Sequence, residues 1–190
     1  RPWPDEPFDP CKIEAVEERA ITIQQLRDLR LYLQRLCTTG LLKSKKDGRR
    51  LSWYEINLYD ITDLVIKPLI QHLSQQRVLR GKPERLHSWT ELVAHGKQKP
   101  HMLISHYWGG CFRDFTTVVD ELARLHTLSS KTALWICTFA NSQFGENFGS
   151  RLQESPFYKA VSLAKGTVLV VDRFGGSLER SWCSLEINFT

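Results

Sequence analysis

Long apolar runs are absent from this 190-residue sequence, whose longest covers five residues, Ala133-Leu134-Trp135-Ile136-Cys137. A membrane-spanning helix needs about 20, so none is encoded here. Cysteine is sparse and unsystematic: Cys11, Cys37, Cys111, Cys137 and Cys183 make five, an odd number with no C-x-x-C pair. That pattern excludes a disulfide framework and predicts reduced thiols in an intracellular, reducing compartment. There is a single methionine, Met102, and the first residue is Arg1. No charged-then-apolar leader is visible, so Arg1 reads as a processing site or an artificial boundary, and the organelle stays open. What the sequence does hold is 42% hydrophobic, 25% charged and 11% aromatic residues, which excludes disorder and collagen and predicts one globular core.

The net charge of +5 is unevenly placed. Its whole surplus falls in the first hundred residues, where Lys43, Lys45, Lys46, Arg49 and Arg50 cluster around Asp47-Gly48. Such a cluster attracts nucleic acid or anionic lipid; between two apolar segments the commoner role is a solvated loop, and nucleic-acid binding is disfavoured.

Four of the eight prolines fall in residues 1–10, so residues 1–20 are expected to be an extended arm. Residues 21–99 read as a helical leader without a β pattern. Thr22 and Gln25 have the form of a capping box, followed by Ile23, Leu26, Leu29, Leu33 and Leu36 up to a stop at Gly40. Ser52 with Glu55 offers a second box before an apolar segment at 56–73 that Pro68 should end or kink, and Ser88 with Glu91 offers a third. From residue 100 the character changes. Strands are expected at 101–108, 132–139 and 167–172. Helices are expected at 114–126, with Phe115, Val118, Val119, Leu122 and Leu125 inward, from Ser155-Pro156 to Gly166, and from Ser177 onward. Strand and helix alternating three times predict an α/β fold with a parallel sheet covered on both faces.

In such a sheet, ligands bind beyond the carboxyl ends of the strands. The loops expected there are 105–110, 141–144 and 172–186. Gly109-Gly110, directly after a strand, serves either a close backbone approach to a ligand or a tight turn.

The segment Arg180-Ser181-Trp182-Cys183-Ser184-Leu185-Glu186-Ile187 resembles the third-strand-to-helix motif S-x-W-C-x-x-E-L of TIR (Toll/interleukin-receptor) domains of the NAD-cleaving type. Residues 103–110 and 133–143 are similar to the S-Y-x-W-G and L-W-I-D-x-x-x-I-N-Q elements of HET (heterokaryon-incompatibility) domains, with Cys137 where that pattern has Asp. The resemblance covers residues 100–190. It implies a flavodoxin-like, TIR-like sheet behind an N-terminal helical extension. Because TIR domains generally continue with further strands and helices, the sheet is expected to be truncated.

The resemblance also implies NAD as substrate; from the residues themselves, no metal is expected. Glu186 would be the catalytic carboxylate, stabilising the oxocarbenium-like ribose as nicotinamide leaves. Position in the loops assigns Ser105, His106, Trp108, Gly109, Gly110, Arg113, Phe144 and Arg180 to NAD binding, with Trp108 or Phe144 stacking on a ring and Arg113 or Arg180 meeting a phosphate. TIR enzymes act when assembled, so self-association is implied. Trp182 and Cys183 are expected to be core packing, and Glu186 could equally be a surface residue favoured by a helix dipole. His101, His106 and Cys111 are poor metal ligands, because odd spacing on a strand sends side chains to opposite faces. The competing reading is a non-catalytic interaction module or an accessory subunit of a larger assembly.

Overall fold

Three apolar strands separated by amphipathic helices have to bury both faces of a sheet, and the chain folds in that way. The computed structural model describes residues 10–82, 85–145, 151–172 and 175–178. Arg180, Trp182, Cys183 and Glu186 lie outside the described residues, as do most of the helix expected from Ser177 onward and the first nine residues of the expected arm; the rest of the arm holds a 3-10 turn at Val16–Glu18.

Among the described residues the sheet has four strands, β1 (Ile21–Thr22), β2 (Met102–His106), β3 (Ala133–Trp135) and β4 (Thr167–Val170), in the order β1-β3-β2-β4. Central β2 runs parallel to both neighbours, with Leu103 opposite Trp135 on one side and Leu103 to His106 opposite Thr167 to Val170 on the other. β1 pairs antiparallel with β3 through Ile21 and Leu134. The fold class is mixed α/β with a mostly parallel sheet. All three core strands are shorter than expected, because the carboxyl end of each turns into loop or helix before its apolar run is finished. β1 corrects the expectation that the first hundred residues lack a strand, since a two-residue element is too short to show an alternating pattern.

α1 (Ile23–Thr38) begins at the expected box: the Thr22 hydroxyl accepts the Gln25 N–H and the Gln25 side chain accepts the Thr22 N–H. It stops at Gly40, whose φ of +69° suits glycine. The second box does not open a helix. Ser52 and Glu55 close a turn instead, and α2 (Leu58–Ile61) starts from Asn57, whose side-chain Oδ1 accepts the Tyr59 and Asp60 N–H groups. Nor does Pro68 end the segment. A π-helical stretch at Thr62–Ile66 leads into α3 (Lys67–Leu79), where Pro68 occupies the first turn; a widened turn absorbs the proline's missing N–H.

α4 (Thr90–Val93) follows, then α5 (Phe112–Leu125) between β2 and β3, α6 (Cys137–Ala140) after β3, and α7 (Pro156–Leu163) between β3 and β4. The inward stripe of α5 is Phe112, Phe115, Thr116, Val119 and Ala123, whereas Val118 and Leu125 are exposed. The helix starts two residues earlier than expected and so adds Phe112 to its buried face. Ser155 caps α7 as expected, accepting the Tyr158 N–H.

One face of the sheet, through Ile104, Leu134 and Ile136, packs with Leu26, Leu29 and Leu33 of α1 and Phe112, Phe115 and Val119 of α5. The other, through Leu103, Ala133 and Trp135, packs with Ala160 of α7. Each fully buried leucine or phenylalanine contributes about 1.5–3 kcal/mol. Buried polar groups fasten the segment before β1 to this core. Arg19 donates to the Ile13 carbonyl (2.8 Å) and faces Glu91 at 3.9 Å, and the Glu91 carboxylate accepts the N–H groups of Ile13 (3.0 Å), His87 (2.7 Å) and Ser88 (3.0 Å). Burial pushes the Glu91 carboxyl up, but Arg19, those N–H donors and Lys12 overcome it, and the group is held below the usual carboxylate range.

Candidate functional site

The chain leaves β2 for β3 on one side and then crosses to β4 on the other, so the carboxyl ends of β2 and β4 diverge at a topological switch point. A cleft of about 970 Å³ opens there. The end of β2 lines it with His106, the loop that follows with Tyr107, Gly109, Gly110 and Cys111, and α5 with Arg113, Asp114, Phe115 and Val118. Across from them stand Val171, Asp172, Gly176 and Ser177, which follow β4, with Tyr54 and Glu55 at one border.

Of the residues expected to bind a ligand, the cleft brings together His106, Gly109, Gly110 and Arg113. His106 is buried on the α5 side of β2, its ring 4.9 Å from that of Phe115. Its Nδ1 lies 3.2 Å from the Ile104 carbonyl, which can only accept, so Nδ1 carries the proton and Nε2, 3.3 Å from Thr138 Oγ1, takes the hydroxyl proton when the ring is neutral. Ser105, one residue earlier, belongs to the opposite face with Leu103. It is fully buried, and it does not line the cleft among the described residues.

Trp108 is turned away from the cleft: its indole N–H donates to Cys137 Sγ (3.4 Å) and its ring stands 5.5 Å from that of Tyr59. Phe144 is packed under the Arg85 guanidinium, 5.0 Å from its ring centre. Neither lines the cleft among the described residues. Arg180 and Glu186 lie outside the described residues.

Tyr107 is the residue that sequence reasoning missed. A Cβ added to Gly109 would lie 2.5 Å from Tyr107 Cζ and Oη, and one added to Gly176 would lie 2.8 Å from its Cδ1. Both glycines therefore make room for a single aromatic ring that joins the loop after β2 to the loop after β4. The close approach at Gly109 is made by Tyr107. The signal was present as two Gly-Gly pairs, Gly109-Gly110 and Gly175-Gly176, one in each loop, following an aromatic side chain. Asp172 sits in the same joint, its Cβ 3.8 Å and its Oδ2 3.1 Å from where Cβ atoms on Gly110 and Gly176 would stand.

The electrostatics of the cleft are mixed. Arg113 pairs with Asp114 (2.7 Å), which holds its guanidinium above the ordinary value, and it covers the Tyr54 ring at 5.1 Å. At the border, the Ser52 N–H and the Arg49 side chain keep Glu55 below the usual range. The start of α5 is not a bare anion cradle, because the Phe112 N–H donates to the Ile56 carbonyl (2.9 Å) and Asp114 adds negative charge to the first turn. An anionic group entering the cleft would meet Arg113, and a group carrying positive charge would meet Asp172, Asp114 and Glu55. No three His, Cys, Asp or Glu side chains gather as metal ligands among the described residues.

Comparison of the chain with protein families, with curated proteins and with solved structures finds no match in any of the three.

Proposed function

We propose that the chain is a TIR/HET-like module whose switch-point cleft binds NAD and, in self-associated form, hydrolyses its nicotinamide–ribose bond. The observation that carries the reading is the position and size of the cleft: about 970 Å³ at the carboxyl ends of β2 and β4, where α/β sheets take nucleotides and at the scale of small-ligand sites. The chemistry is consistent with the lining. Nicotinamide in NAD is cationic and leaves without protonation, water adds to the anomeric carbon and its proton passes to solvent, giving ADP-ribose. A carboxylate beside the ribose stabilises the positive charge that develops on the sugar. Sequence resemblance gives that role to Glu186, and among the described residues Asp172 is a carboxylate at the joint of the two loops. Arg113, which lines the cleft, or Arg180 would meet the pyrophosphate.

Nicotinamide release from NAD by the concentrated full chain tests the reading. Release should disappear in Glu186→Ala while the folded far-ultraviolet spectrum is kept; unaltered turnover in that variant would remove the catalytic assignment. A second reading, a non-catalytic docking module, draws on the apolar lining of the cleft, where Val118 and Val171 are 40% and 50% exposed. It predicts no nicotinamide release and a partner whose binding is weakened by Val171→Asp.

A further inference from the structure

The densest positive charge of the chain sits on an ordered hairpin that touches the cleft only through Arg49, which pairs with Glu55 at the cleft border. Lys43 and Arg50 are antiparallel bridge partners, the Leu51 N–H donates to the Leu42 carbonyl (2.9 Å), the Ser44 N–H to the Arg49 carbonyl (2.9 Å), and Gly48 turns the tip at φ +72°. Leu42 and Leu51 are buried, so the adjacent pair, Lys43 and Arg50, faces the other way. Two cations directly opposite each other on a ladder repel, and the hairpin keeps them without an acid between them. Of the five cations in this segment, Arg49 alone forms ion pairs among the described residues, with Asp47 and Glu55.

An apolar side chain completes the surface. The Arg50 side chain lies over Gly40, its Nε 2.8 Å from where a Cβ would stand. That puts it beside Leu41, which is 68% exposed. Arg35 is exposed in the last turn of α1, which leads into the hairpin. The result is an exposed leucine at the base of the hairpin beside Arg50 and on the same side of its strand as Lys43, with Lys46 exposed at the tip.

We infer that this surface docks the protein reversibly on an anionic lipid bilayer, the basic groups at the headgroups and Leu41 entering the interface. Basic residues gather at anionic headgroups and a neighbouring apolar side chain adds burial there. A phosphodiester backbone would use the same cations but leave Leu41 with nothing to gain. The inference does not depend on the cleft binding NAD.

The test is flotation of the full chain with phosphatidylcholine vesicles, with and without phosphatidylserine, at low and high salt. The chain should float only with the serine lipid and be released by salt. Lys43→Ala and Lys46→Ala should each lower partitioning about five-fold. Leu41→Ser should lower it with the salt dependence unchanged, and Lys159→Ala, on α7, should leave it unchanged. Lys46 is exposed at the hairpin tip, so its variant reports on binding even if Lys43→Ala loosens the ladder. Flotation that ignores phosphatidylserine, or that survives the Lys46 and Leu41 changes, would overturn the inference. So would duplex DNA that displaces the vesicles and binds regardless of Leu41.

Discussion

Replacing Glu91 by Gln probes the part of the structure that ties residues 10–20 to the sheet. The carboxylate is fully buried, accepts three backbone N–H groups from Ile13, His87 and Ser88, and faces Arg19, itself only 4% exposed, with Lys12 at 3.3 Å. Glutamine keeps the shape and one acceptor, but it turns an NH₂ group toward donors and leaves the Arg19 charge uncompensated. Removing one partner of a buried pair costs about 3–5 kcal/mol, a large share of the 5–15 kcal/mol that holds a typical domain. Urea unfolding, followed through fluorescence, should show a loss of that size at pH 7. The loss should depend on pH in one direction. Because the folded carboxyl lies below the usual range, the stability it brings is complete above the unfolded value of about 4.3 and disappears as pH falls through the folded value. The gap between the natural chain and Glu91→Gln should therefore close on acidification. Arg19→Met combined with Glu91→Gln should cost less than the two single changes added together. A difference under about 1 kcal/mol at neutral pH, or one that stays constant down to acid pH, would refute the buried-pair reasoning.

Other consequences follow from the joint and from the thiols. Gly109→Ala should cost about 1–3 kcal/mol by displacing the Tyr107 ring, and much less in a Tyr107→Ala background; equal costs in both would show that the ring does not occupy the glycine's space. Burial, with some help from Glu55, pushes the Cys37 thiol up to about 11, so iodoacetamide at neutral pH should modify it about a hundredfold more slowly than an unfolded cysteine of ordinary pKa. Mass spectrometry of peptides from briefly alkylated protein reads this directly, and rapid labelling of Cys37 would contradict it.

The parallel core was legible because its signals are local and redundant. Apolar runs near residues 103, 134 and 168 can only be buried strands when amphipathic helices separate them, and the Thr22 and Ser155 caps are spelled out within four residues. β1 escaped because its existence is decided by the edge of β3, 110 residues away, and not by its own two side chains. Ser52 and Asn57 carry equivalent box patterns, and only the packing of Leu58 and Ile61 selects the second. The site was legible in place but not in composition. Topology put His106, Gly109, Gly110 and Arg113 at the switch point, since His106 ends β2 and the others follow it closely. Trp108 lies between them in sequence yet faces Cys137, because side chains in a loop obey no alternation that could be read in advance. Tyr107 went unnoticed for a related reason: a ring filling two glycine notches is a tertiary contact between loops some 65 residues apart.

Amide hydrogen exchange of the full chain with and without NAD addresses the switch-point cleft most directly. Slowed exchange in both 107–114 and 170–178, with 21–38 unchanged, is the expected result. Protection confined to one of the two segments, or found elsewhere in the chain, would contradict a dinucleotide site shared by the ends of β2 and β4.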